Sequence, residues 1–141
     1  MANKANSVVT TQSVRVEQCV CTAAKTTYDD AANAVKLFTA GASGSLLKSV
    51  SAIPRATFTA TQLMLFLSKD GGTTLILLPY NKVTGAQSVA ATTAIPAYDL
   101  GVSGLRLSPN DEIYAAIGVA LAGGIAFTAE GEDFAEADEE A

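Results

Sequence analysis

The chain reads as an all-β protein, an antiparallel β-sandwich of jelly-roll type with an N-terminal arm and an acidic C-terminal tail. Three observations predict this. Apolar residues either alternate with polar ones or fall in short runs, Gly, Pro and Asp-containing turns interrupt them at short intervals, and no segment sustains a long helical pattern. About eight such strands imply two sheets packed face to face. An immunoglobulin-like sandwich is the second choice, since the Cys and Trp hallmarks of an antibody domain are absent.

The elements follow in order. Residues 1–12 read as an arm. "QSVRVEQCV" sets Val14, Val16 and Val20 against Arg15, Glu17 and Cys19, the period-two signature of a half-buried strand. "AKTTYDDAANAV" suits a loop or a short helical turn. "VKLFTAGASGS" is a brief apolar stretch ending in a loop at Gly41 and Gly44, and "SLLKSVSAI" is a strand stopped by Pro54, which has no N–H to donate.

"TATQLMLFLSKDGGTTLILLPY" is the most apolar hairpin candidate. Leu63, Leu65 and Leu67 share one face and Met64 and Phe66 the other, so both faces are predicted to be covered. Periodicity alone also permits a helix over "TQLMLFLS"; its short length and the Asp-Gly step favour a strand. "KDGG" suits a tight turn, after which Leu75 and Leu77 occupy one face and Ile76 and Leu78 the other. Each fully buried Leu, Ile or Phe contributes roughly 1.5–3 kcal/mol, which puts this hairpin at the centre of the expected core. Small residues then dominate to Pro96. "GLRLSPNDEIYAAIGVALAGGIAFTA" sharpens into strand, turn, strand, turn, strand.

With 141 residues the chain fits one domain: an arm over 1–12, a sandwich over 13–129 and a tail over 130–141. The formal net charge of −5 is concentrated in the tail, where seven of the fourteen acidic residues lie without a Lys or Arg. The body is close to neutral. Such a tail extends into solvent or lies on a basic surface, and it repels phosphates, so nucleic acid is not the expected ligand. Charged residues make up 16% of the chain, below the usual ~25%. Two causes fit this scarcity: a surface buried in an assembly, or a Ser/Thr-rich surface solvated without charge.

Residues 113–129 carry no charge, which is the minimum length for a membrane span. Glu112 and Glu130 flank them without a basic anchor, and Gly118, Gly123 and Gly124 interrupt them, so two buried strands are the better reading. The N-terminus has no apolar signal core, and synthesis in a cytoplasm is expected.

Reactive chemistry finds little support. The chain has no His, the commonest general base. Cys19 and Cys21, one residue apart on a strand, are expected as reduced thiols and cannot complete a zinc site. Asp29 with Asp30, and Asp111 with Glu112, read as solvated loop acids. Gly41, Gly44, Lys48 and Ser49 lack the contiguity of a phosphate loop. Asp70, Asn110 and Asp111 show no spaced series of calcium ligands. No enzyme, catalytic residue, metal or cofactor is therefore expected.

The "TAG-x-x-GS" loop at residues 39–45, the apolar strands around "KDGG" and "L-x-L-x-x-N-D" at residues 105–111 together resemble small β-sandwich head decoration (cement) proteins of tailed bacteriophages. The likeness spans residues 35–120. It implies a capsid-surface protein in the virion, an oligomer that is most often a trimer, and the major capsid protein as partner. The alternative is a tail, fibre or baseplate component with a glycan-binding role, which an exposed cluster of Tyr28, Tyr80, Tyr98 or Tyr114 around a pocket would mark. An enzyme with its site between subunits is the third reading.

Overall fold

A computed structural model describes residues 11–134. Ten strands follow in order: β1 (Thr11–Cys21), β2 (Val35–Thr39), β3 (Ser45–Pro54), β4 (Thr61–Ser68), β5 (Ile76–Leu77), β6 (Lys82–Thr84), β7 (Tyr98–Asp99), β8 (Leu105–Leu107), β9 (Glu112–Ile117) and β10 (Ile125–Phe134). They form two antiparallel sheets. One runs β1, β10, β3, with β7 and β8 both on β3; the other runs β2, β9, β4, with β5 and β6 both on β4.

The expected antiparallel sandwich is the fold. The sequence predicts about eight strands, and ten are present because two outer positions are each filled by two short pieces. β1 pairs with β10, β2 with β9 and β3 with β8, so early strands lie against late ones, while β4 pairs with β9 and with the short pieces β5 and β6 that follow it. Leu37, Phe38, Leu47, Val50, Leu63, Leu65, Ile113, Ile117, Ile125 and Phe127 fill the space between the sheets. Among the described residues, no helix is long and apolar enough to cross a membrane, and residues 113–129 form β9, a turn and the start of β10.

β4 is buried on both faces, as its sequence predicts. Leu63 and Leu65 enter the central core, whereas Met64 and Phe66 enter a second cluster with Leu75 and Ala116 on the outside of the sheet. The β1–β2 connection, residues 22–34, roofs that cluster. It is attached by the backbone bonds Lys25 N–H to Ile117 O (2.8 Å) and Leu75 N–H to Asp29 O (3.1 Å), and its own Ala31 and Ala34 pack against the cluster.

The expected tight hairpin at "KDGG" is corrected. Leu67 pairs with Ile76 and Phe66 with Leu77, while Ser68 pairs only with Glu112 of β9, leaving residues 69–75 as a wide loop. Its amides are held by side chains: Ser68 Oγ accepts from Gly72 N–H (2.8 Å) and Asp70 Oδ1 from Thr74 N–H (2.9 Å). Leu75 leaves the ladder to enter the second cluster, and Ile76 and Leu77 face solvent instead of being covered.

The tail boundary also shifts. Residues 130–134 are strand, with Glu132 and Asp133 registered against Leu46 and Ser45, because β10 lies between β1 and β3 from Ile125 to Asp133. The rest of the predicted tail, and the arm before Thr11, lie outside the described residues.

Candidate functional site

β1 realises its alternation with the valines outward. Arg15, Glu17, Cys19 and Cys21 point to the interior side, and Val14 and Val16 stand 78% and 60% exposed. The inward charges are tolerated because they sit at the rim of the sandwich. Arg15 lies 4.3 Å from the centroid of the Phe38 ring and donates to Thr39 O (2.7 Å), Asp133 Oδ1 (2.9 Å) and Glu17 Oε2 (3.1 Å). Partial burial works against the Asp133 charge, but hydrogen bonds from Ser45 and Arg15 outweigh it and hold its pKa below the ordinary carboxylate value. Gly131 makes room for this cluster: a Cβ there would meet Leu46 O at 2.8 Å and the Phe38 ring at 3.1 Å.

Across the outer face of this sheet, Val20, Ala126 and Ile53 form one row, Gln18, Thr128 and Ser51 the next, and Val16, Glu130 and Ser49 a third. Val14, Val16, Val20 and Ile53 are all exposed there. The face is thus mostly small, hydroxylated or aliphatic, bordered by the Lys48–Glu132 ion pair (3.2 Å). The opposite outer face is roofed by residues 22–34. A smaller exposed apolar group, Ile76, Leu77 and Val83, lies on the short β5 and β6 pieces.

The loops of residues 39–45 and 105–111 meet at one end of the sandwich. Ala40 N–H donates to Asp111 O (2.7 Å), Asn110 N–H to Gly41 O (3.3 Å) and Phe134 N–H to Gly44 O (3.0 Å). Gly41 N–H and Asp133 both bond the Ser45 hydroxyl, the latter at 2.5 Å. Gly44 has φ +88°, and a Cβ there would come 2.6 Å from Leu107 O. Gly41, Gly44, Lys48 and Ser49 therefore belong to a loop-to-strand joint.

Three of the four paired acids are engaged in structure. Asp29 is exposed, and Asp30 accepts from Lys25 Nζ (3.0 Å) and Thr27 Oγ1 (2.7 Å). Asp111, expected as a solvated loop acid, is buried; it accepts from Lys69 Nζ (2.8 Å) and Ser108 N–H (2.9 Å) and closes the β8–β9 turn. Glu112 accepts from the Tyr114 hydroxyl (2.9 Å). Among the described residues no group of three His, Cys, Asp or Glu side chains could hold a metal ion. Cys19 and Cys21 are both free thiols, and the hydrogen bond with Cys19, followed by burial, pushes the Cys21 thiol far up.

The tyrosines do not converge. Tyr80 and Tyr98 pack against the central core, Tyr98 edge-on to Phe58 at 6.4 Å, while Tyr114 packs against the second cluster. Tyr28 is exposed on the roofing segment. What sequence reading missed is the bare valine face of β1. Its alternation was visible, but hydropathy by itself turns valines inward. No protein-family model, curated protein or solved structure matches this chain.

Proposed function

We propose that the protein is a non-enzymatic structural protein of a virion, a decoration or cement protein that binds the major capsid protein on the outer surface of an assembled phage head. The reading rests on the resemblance in residues 35–120 together with the antiparallel sandwich, whose strand pairing suits a jelly roll. One observation carries the adhesive role: the uncovered outer face of β1, β10 and β3, with Val14, Val16, Val20 and Ile53 in solvent on a face of few charges. Exposed aliphatic residues grouped on one sheet face mark a protein-binding surface. The other large face already has its cover.

Stabilisation works by mass action. A protein that binds the assembled shell, and not separated subunits, shifts the balance toward the shell in proportion to the logarithm of its free concentration over Kd. The dispersed tyrosines give the glycan-binding alternative no specific support. The test is co-sedimentation of the purified protein with undecorated capsids at several salt concentrations, with I53K beside the wild type. Pelleting of the wild type, weakened at least about tenfold by I53K, is expected; failure of the wild type to pellet at every salt concentration overturns the reading.

A further inference from the structure

We propose that the outer edge of β1 pairs with the same edge of a second copy, antiparallel about a two-fold axis at Val16, joining the two β1-containing sheets into one. The first observation is the contrast among sheet edges. β2 has five residues and a register break between Lys36 and Phe38, and β5, β6, β7 and β8 have two or three each. These are the usual guards against pairing with foreign strands. β1 is eleven residues long, contains neither Pro nor Lys, runs in unbroken register from Ser13 to Cys21, and among the described residues pairs only with β10.

The second observation is charge. Arg15 and Glu17 point inward on this edge, which ordinarily excludes an incoming strand because it has to accommodate both. A second copy does so in one register. With Val16 opposite Val16 of the partner subunit, Arg15 lies opposite the partner's Glu17 and Glu17 opposite the partner's Arg15. Sliding by one pair in either direction sets Arg15 against the partner's Arg15, or Glu17 against the partner's Glu17, and like charges directly opposed are destabilising. The same two residues that reject other strands select this one. In this register Val14 and Val16 of both copies become cross-strand and diagonal neighbours on the outer face, each shielding the flank of the other and leaving the face itself open. A three-fold ring, which the resemblance implies, needs a different edge to receive β1, and the remaining edges are too short to match it.

The inference stands independently of the virion reading, and its test needs only the purified chain. Sedimentation velocity at micromolar concentration is expected to give a dimer, and V16K, which opposes two ammonium groups at the axis, is expected to weaken it at least about tenfold. Register is read by crosslinking. Under mild oxidation V16C forms an intermolecular disulfide, because paired Cα atoms lie about 4.5–5.5 Å apart. V14C does not, since its two copies stand about 14 Å apart along the strands. The wild type, with Cys19 and Cys21, is the control. A monomeric wild type overturns the inference, as does a trimer insensitive to V16K or crosslinking of V14C as fast as V16C. A monomer whose capsid pelleting is nevertheless lost in V16K also overturns it and assigns the edge to a capsid strand. A dimer that fails to pellet with capsids leaves the inference standing and removes only the virion reading.

Discussion

Lys25 Nζ lies 3.0 Å from Asp30 Oδ1, with the lysine side chain 0% exposed and the aspartate 49% exposed. The ammonium also donates to Thr27 Oγ1 (3.0 Å) and sits 5.5 Å from the centroid of the Phe66 ring, so it closes the roof over the second cluster. Removing one partner of such a pair costs more than replacing the charge by an apolar chain of similar volume. D30A, which strands the ammonium, is therefore expected to lower the urea midpoint more than K25M does, with K25M within about 1 kcal/mol of wild type. A lower midpoint for K25M than for D30A would remove the pair from this role.

Burial on both faces of β4 makes a second prediction. L65A deletes side-chain volume from the central core and M64A from the roofed cluster, and each is expected to cost about 2–5 kcal/mol in equilibrium unfolding. I76A, at a side chain 56% exposed, is expected within about 0.5 kcal/mol of wild type. If M64A behaved like I76A, residues 22–34 would not cover this face in solution.

The clasp of Arg15, Asp133 and Ser45 ties the first described strand to the last, and it predicts acid lability. Asp133 has a lowered pKa in the folded chain, so its contribution is fully present above the unfolded value of about 3.9 and is lost as pH falls through the folded value. The gap in urea midpoint between wild type and D133N is expected to be steady above about pH 5 and to close below about pH 4. A gap that persists at pH 2 would assign the effect of D133N to packing.

Gly44 holds the loop of residues 40–44 in a left-handed conformation against Leu107 O. G44A is expected to destabilise by more than about 1 kcal/mol, whereas G85A, where a Cβ meets nothing within 4 Å, is expected to stay near wild type. Thermal unfolding of the two variants side by side checks this.

Strand positions were legible because they follow from local chemistry. Alternation, Pro54, the Asn110 turn with φ 65° and the Gly124 turn with φ 76° place β3, β8, β9 and β10 from neighbours in sequence alone. The apolar second face of β4 announced a second cover but not its source, since residues 22–34 are small, polar and unpatterned. Asp111 and Lys25 gave no sign of burial because the groups that enclose them across the sheet, Lys69 over Asp111 and the Phe66 ring beneath Lys25, lie more than forty residues away, even though Lys25 also has the local acceptors Thr27 and Asp30.

Sequence by itself determined that this chain alternates and turns often enough to make sheets, and that its acidic charge gathers after residue 129. Only the tertiary structure decided which side of each strand faces inward. Period two divides β1 into two faces without choosing between them, and the choice rests on Phe38 and Asp133 receiving Arg15 at the rim of the sandwich. Leu75 was likewise free to continue a ladder until Asp29 O drew its amide beneath the roof. In both cases a distant partner, invisible to local periodicity, settled an even local balance.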